Sequence, residues 1–516
     1  MSSGCHYPQL FYKIRILNFE DSMKNAKLKL LIQSLCMMAP LTLTACNNDN
    51  DSNNQSIVEK PTLQTVLNNF KNGAALPTKA LMSTKDADGK NVTIYQGGYG
   101  SDGFVNPNDP TQFYALTDRG PNSDVVHGDP NIEKGEGKAF PMPNYTPNVG
   151  LFQINSDGKI SLVKIIELKR PDGITKTTGL PNPVNGATKE VAYIQNNTDN
   201  AYGTLMLADQ TKPYSATTNS TKTDAYGIDA EGLAVMKDGT FWVSDEYGPH
   251  IVHYDATGKE IGRINAFSSG EGASTVTINN KVITLPGEFK NRRANRGMEG
   301  LTVTPDQQYL VGIMQSALYN PNKDTKKSNL TRLVRINLAT GQIEQFIYQQ
   351  TEADSNSGIV AIDKDTFYVI ERDGDFPKDN ANAVKKVFKI DLRNGTNIES
   401  ITNNGSITQD DKLGLLIGGK TLEQLTLNAD GWTTLKNNGI NSVSKTEYLN
   451  AVTKLNYPHD KLEGLMLFPN GALGLINDDD FGIMPQDKYN KDYITQKYVD
   501  KANTDVDSDR LYIYRP

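Results

Sequence analysis

Carboxylates recur in this sequence at the edges of short apolar runs. Glu231 opens the run GLAVM, and Asp245 and Glu246 end the next one, TFWVS. Glu299 and Glu463 open later runs, each, like Glu231, inside a Glu-Gly-Leu triplet; Asp118, Glu371 and Asp478 end runs as Asp245 does. Equivalent positions of a repeat face a common axis, so these acids are expected to converge on one rim. Converging carboxylates without counter-charge raise one another's pKa values, and a hard cation relieves the repulsion. Ca²⁺ takes six to eight oxygen ligands in adaptable geometry. Asp118, Glu231, Asp245, Glu299, Glu371, Glu463 and Asp478 are therefore the candidate metal ligands, and Glu231, Asp245, Glu246 and Glu299 the candidate catalytic acids and bases. Arg119 follows Asp118, Arg372 follows Glu371, and Arg296 shortly precedes Glu299. The planar guanidinium suits bidentate binding of phosphate or carboxylate, which makes Arg119, Arg296 and Arg372 candidate substrate clamps. Such a rim would hold a phosphate ester and activate a water molecule. The alternative is that the arginine–acid pairs staple adjacent units and the rim binds nothing reactive.

Other chemistries fit less well. Zinc would have to rely on His127, His250, His253 and His459, and His250 and His253, three apart on a strand, point to opposite faces. The chain has no Gly-x-Ser-x-Gly elbow and no Gly-x-Gly-x-x-Gly opening a helix. A Ser–His–acid triad stays open, because it is recognised by geometry and not by order. Asn477-Asp478-Asp479-Asp480 lacks the spaced oxygens of an EF-hand and would supply one or two ligands. Trp242 is expected to pack between sheets.

The elements that must position these residues are hairpins. Residues 228–264 hold four strand-like runs separated by Lys237-Asp238-Gly239, Gly248-Pro249 and Ala256-Thr257-Gly258, the turn chemistry of antiparallel strands. Four strands in about 37 residues match one propeller blade. The phrase returns from Arg296, from Ser357 and from Lys461, and in weaker form at SDGFVNPNDPTQFYALTDRG. The fold expected is all-β, a β-propeller of four-stranded antiparallel blades. Five blades are legible and six is the preferred count, the sixth lying in residues 168–227 or 408–460. The first of these insertions reads as long loops. The second reads as partly helical, with Leu449, Val452 and Leu455 at helical spacing. The last strand, RLYIY, is expected to complete a blade with N-terminal strands and close the ring.

Residues 1–46 read as a signal-peptide region, with Met23 an alternative start. Lys24, Lys27 and Lys29 precede a short apolar run that ends Leu43-Thr44-Ala45-Cys46. That ending resembles the lipobox of bacterial lipoproteins, which makes Cys46 the lipidation site and gives the chain a membrane anchor at the cell envelope. Asn47, where a retention Asp would stand, favours the outer membrane, facing the periplasm. The other cysteines, Cys5 and Cys36, lie upstream, so the remainder would hold no disulfide. Residues 47–60 read as a flexible tether and 61–516 as the folded body. Removing 1–46 leaves 48 basic residues against 58 acidic ones. A net-acidic chain without Lys/Arg clusters argues against nucleic acid as a partner; a small-molecule ester and a monomeric state are expected.

The motifs Asp229-Ala230-Glu231-Gly232-Leu233, Trp242-Val243-Ser244-Asp245-Glu246-Tyr247-Gly248-Pro249, Asn295-Arg296-Gly297-Met298-Glu299-Gly300-Leu301 and Lys461-Leu462-Glu463-Gly464-Leu465 resemble the bacterial "esterase-like activity of phytase" family. The resemblance runs from about residue 90 to the C-terminus. It implies a β-propeller, more distantly similar to calcium-dependent β-propeller phytases, and hydrolysis of an ester, including a phosphate ester. The reading that competes with it is a non-catalytic propeller binding a protein or glycan at the envelope.

Overall fold

In the computed structural model the described residues are 60–128, 137–183, 190–195, 202–267, 274–353 and 355–516. The expected lipidation site Cys46, the expected signal-peptide region and the expected tether as far as residue 59 lie outside them. Asp-Gly and Thr-Gly punctuation does fold the chain into hairpins. Gly239 takes φ 88°, a conformation that glycine adopts without strain, while Asp238 Oδ1 accepts from Thr240 N at 2.9 Å.

Five four-stranded antiparallel sheets result. Blade 1 is Asp102–Val105, Gln112–Leu116, Asn148–Ile154 and Ile160–Glu167. Blade 2 is Ala230–Val235, Phe241–Asp245, His250–Tyr254 and Glu260–Ile264. Blade 3 is Met298–Val303, Tyr309–Met314, Leu330–Asn337 and Ile343–Gln349. Blade 4 is Ser355–Ala361, Thr366–Arg372, Lys385–Asp391 and Ser444–Asn450. Blade 5 is Gly464–Leu467, Leu473–Ile476 and Arg510–Tyr514, with Ala74–Ala75 as its outer strand. The segment RLYIY thus joins the first and last parts of the chain in one blade.

The first strand of each blade touches the first strand of the next, in the cyclic order 1-2-3-4-5-1. Glycines near the starts of the inner strands make this approach possible. A Cβ on Gly232 would collide with the backbone of Leu301, one on Gly300 with Ser357, and one on Gly358 with Glu463. Apolar cores fill the spaces between blades: Ile251, Trp242, Met298 and Leu301 join blades 2 and 3, and Val360, Tyr368, Leu465 and Leu475 join blades 4 and 5. Trp242 is in such a core, stacked on His253 with ring centroids 4.0 Å apart. Covered on both faces, the inner strands of blades 2, 3 and 4 are buried at every residue.

The preferred sixth blade is not in this ring. The strands Val191–Gln195 and Tyr202–Leu205 of the 168–227 insertion pair instead with Gly137–Phe140, Ser123–Val125 and the hairpin Ile483–Lys488/Lys491–Gln496, giving a six-stranded sheet with one parallel pair. Residues 408–460 supply short helices at Leu422–Leu425, Gly431–Asn437 and Ala451–Leu455. Leu449 belongs to the outer strand of blade 4 and not to a helix with Val452 and Leu455; burial against the sheet decides its state. Among the described residues no helix is long and apolar enough to cross a membrane.

Candidate functional site

Each inner strand starts at one end of the channel, so the residue before the close-packed glycine is delivered there. In blades 2, 3 and 5 that residue is Glu231, Glu299 or Glu463, all at most 8% exposed. One carboxylate oxygen from each lies within 4.8 Å of the others, and Asp229, Glu231 and Glu246 form a second group of the same kind. In blade 4 the place is taken by Ser357, whose Oγ is 3.2 Å from Glu299 Oε1. In blade 1 it is taken by Asp102, whose carboxylate accepts from Leu233 N of blade 2 at 2.8 Å and Leu465 N of blade 5 at 3.2 Å. Asp102 is therefore a staple across three blades.

The acids and their neighbours enclose a cavity of about 170 Å³. Asp118, Arg119, Glu231, Glu246, Arg296, Glu299, Arg372, Glu463 and Asp478 all line it. Asp245 and Glu371 do not, which corrects the expectation that they share the rim. Successive strand residues point to opposite sides, and in the doublets Asp245-Glu246 and Glu371-Arg372 it is the second residue that faces the cavity. Asp245 Oδ1 instead accepts from Asp229 N at 2.9 Å and Tyr247 N at 3.0 Å, and its other oxygen lies 3.6 Å from His250 Nδ1. Glu371 accepts from Tyr348 Oη at 2.5 Å and Glu352 N at 2.9 Å and pairs with Lys445.

The arginines are engaged by acids. Arg119 pairs with Asp229 and, at 2.8 Å, with Glu190, and lies 3.9 Å from Glu246. Arg372 spans blades, pairing with Glu463 and, at 3.2 Å, with Glu299. Arg296 Nη1 donates to Ser355 Oγ at 2.8 Å. The expected clamps Arg119 and Arg372 are thus counter-charges of the acids. Gln315, among the lining groups, had no sequence signal. Gln315 donates to both Glu246 (2.9 Å) and Glu299 (2.8 Å), and Lys461 pairs with Asp478 (2.7 Å) and Asp480 (2.6 Å). Asp229 stands in a quoted motif, and Asp102 could have been found from its acid-glycine order.

Glu231 differs from its neighbours: among the described residues it has neither a hydrogen-bond donor nor a basic partner, although it is only 8% exposed. Burial, and then the carboxylates of Glu299, Asp229, Glu246 and Glu463, push its pKa well above the carboxylate range. Burial and Glu299 raise Glu246 in the same way, and burial and Asp478 raise Asp118. Asp229 is pushed up to about 7 by burial against the pull of Arg119, and Glu463 to about 8 by burial despite Arg372 and Lys461. Burial also raises Asp245 to about 6.

This donor set consists of carboxylate oxygens, the ligand type of hard cations. Seven carboxylates line the cavity against five basic side chains, a surplus that one divalent cation balances. Among the described residues no histidine lines it. His250 contacts Arg263 at 2.7 Å, His253 stacks on Trp242, and His459 bridges Asp507 (2.7 Å) and Tyr512 (2.9 Å).

The phytase-like family model, described as esterase-like activity of phytase, matches residues 97–481. A stretch of 111 residues is 34% identical to an uncharacterized secreted protein of Arthroderma benhamiae; it covers 19% of this chain and 22% of that relative. Among solved structures, hydrazine synthase of Kuenenia stuttgartiensis is 11% identical with a TM-score of 0.28, over 78% of this chain and 97% of that one. The PQQ-bound aldose sugar dehydrogenase of Streptomyces coelicolor is 10% identical with a TM-score of 0.27, over 78% of this chain and 98% of that one.

Proposed function

The chain belongs to the phytase-like family, and we propose that it is an envelope-anchored, metal-assisted hydrolase of phosphate or other esters, working at the carboxylate-lined end of the propeller channel. The observation that carries this reading is Glu231, a buried acid in a ring of further acids that has no donor or basic partner among the described residues. Leaving a buried carboxylate uncompensated is costly, and a cation on Glu231, Glu299 and Glu463 removes that cost. Bound Ca²⁺ would supply Lewis acidity toward a phosphoryl or carbonyl oxygen and toward water.

The chain's own groups then divide the remaining work. Arg119 and Arg372 hold Asp229, Glu299 and Glu463 in place. Gln315 fixes Glu246 through Oε1, leaving Oε2 to take a proton. Arg296, on the cavity wall beside Ser355, is the arginine assigned to the substrate's oxyanion. A volume of about 170 Å³ is below that of pockets enclosing whole drug-sized ligands. Only the reacting head group enters, and the alcohol portion stays at the mouth. An exported chain agrees with the leader ending at Cys46 and with the relative described as secreted.

The non-catalytic reading keeps one specific support, since Arg119 and Arg372 already staple blades. The two separate in one experiment on the purified protein, chelator-treated and then Ca²⁺-replete, with thermal unfolding and hydrolysis of a phosphomonoester and a short acyl ester recorded together. The enzyme reading expects Ca²⁺ to raise the melting temperature and switch on turnover, and Glu231→Ala with Glu299→Ala to abolish turnover in a folded protein. Stabilisation without turnover leaves a binding propeller, and no response to Ca²⁺ removes the metal site.

A further inference from the structure

We propose that Glu231 bridges two cation positions, so that this end of the channel takes a pair of divalent cations. The inference rests on the metal-dependent reading above and goes beyond it in stoichiometry and in ligand assignment.

Two groups of three carboxylates share one member: Glu231 stands with Asp229 and Glu246 in one, and with Glu299 and Glu463 in the other. Each side has its own arginine: Arg119 pairs with Asp229, and Arg372 with Glu299 and Glu463. Gln315 stands between the sides, its Nε2 donating to Glu246 Oε1 at 2.9 Å and to Glu299 Oε2 at 2.8 Å. A neutral amide there holds the two acids in register while adding no charge. Glu231, 8% exposed and without a donor among the described residues, is the group whose two oxygens are left to serve both sides.

Charge gives an independent count. Adding the groups that ion-pair with lining residues, namely Glu190 and Asp229 with Arg119, Asp124 with Lys138 and Lys497 with Asp480, brings the cluster to ten carboxylates against six basic groups. Two divalent cations balance that surplus, whereas one leaves half of it buried. With one Glu231 oxygen on each side, three carboxylates offer up to five oxygens per cation, with solvent or substrate completing the shell.

The test is a count of bound Ca²⁺ on the full chain after chelation, by calorimetric titration with native mass spectrometry. Two equivalents are expected for the unaltered protein. Asp229→Asn and Glu463→Gln should each retain one, and Glu231→Gln should weaken both by roughly tenfold or more. One equivalent in the unaltered protein overturns the pair and leaves the metal-dependent reading standing; none overturns both. A Glu231→Gln protein that still binds two with unchanged affinity removes the bridge. The count on the unaltered chain decides the stoichiometry even where a variant does not fold.

Discussion

Two buried charge clusters in this molecule have similar composition and opposite bookkeeping. Around Arg332, in blade 3, Glu423 accepts from Nε at 2.7 Å and Nη2 at 3.0 Å, Glu288 accepts from Nη1 at 3.1 Å, and Gln345 donates to Glu288 at 2.9 Å and to Glu399 at 2.7 Å. Asn320 adds a further bond to Glu423 at 3.1 Å. Glu288 and Glu423 are each met by several donors. At the channel end, Arg119, Arg372 and Gln315 serve Asp229, Glu246, Glu299 and Glu463, and among the described residues nothing serves Glu231. Burial and acid content are common to both clusters, so neither marks a site. What separates them is the shortage of donors: the closed cluster ties an insertion to a blade, and the open one leaves Glu231 unmet among the described residues.

The sharpest way to break this contrast is to remove one arginine from each cluster. Arg332→Met orphans Glu423 and Glu288 in an interior with no ligand to replace it. We expect a loss of about 3–5 kcal/mol, read by denaturant unfolding and unchanged by Ca²⁺. Arg372→Met also orphans two acids, Glu299 and Glu463, and should cost about 3 kcal/mol in chelator. Here added Ca²⁺ should restore most of the loss, because a cation can stand where the guanidinium stood. Equal Ca²⁺ responses in the two variants would erase the distinction.

The propeller was legible in the sequence for a reason the structure supplies. The glycine after Glu231, Glu299 and Glu463 has to clear the next blade's backbone, so the repeat is a packing requirement visible one residue from each acid. The blade count was not legible. Strands 191–195 and 202–205 have the same local character as blade strands, and only their long-range partners place them in another sheet. Asp245 and Glu371 were misplaced because a doublet at a strand end does not reveal which residue faces the axis. Asp102 was passed over because aspartate-glycine also signals a turn, and the pairing of Arg119 with Asp229 or Arg372 with Glu463 joins residues about 110 and 90 positions apart. Local pattern carries the frame, while the electrostatic account of the site is tertiary.

A smaller effect sharpens the comparison through pH. Burial lifts Asp229 to about 7 and Glu463 to about 8, from values near 4 in the unfolded chain. Between about pH 4 and pH 8 the native protein therefore holds more protons than the unfolded one, and stability falls as pH rises through that window. In chelator, the melting temperature should drop from pH 6 to pH 8.5 by several degrees. Saturating Ca²⁺ should flatten this profile, because a cation on these oxygens favours their ionised form in the folded state. Proton release on Ca²⁺ binding should accompany it near pH 6.5, seen as a calorimetric heat that depends on the buffer. If the decline is as steep with Ca²⁺ as without it, Asp229 and Glu463 are not its ligands, and the open cluster is held by something other than a cation.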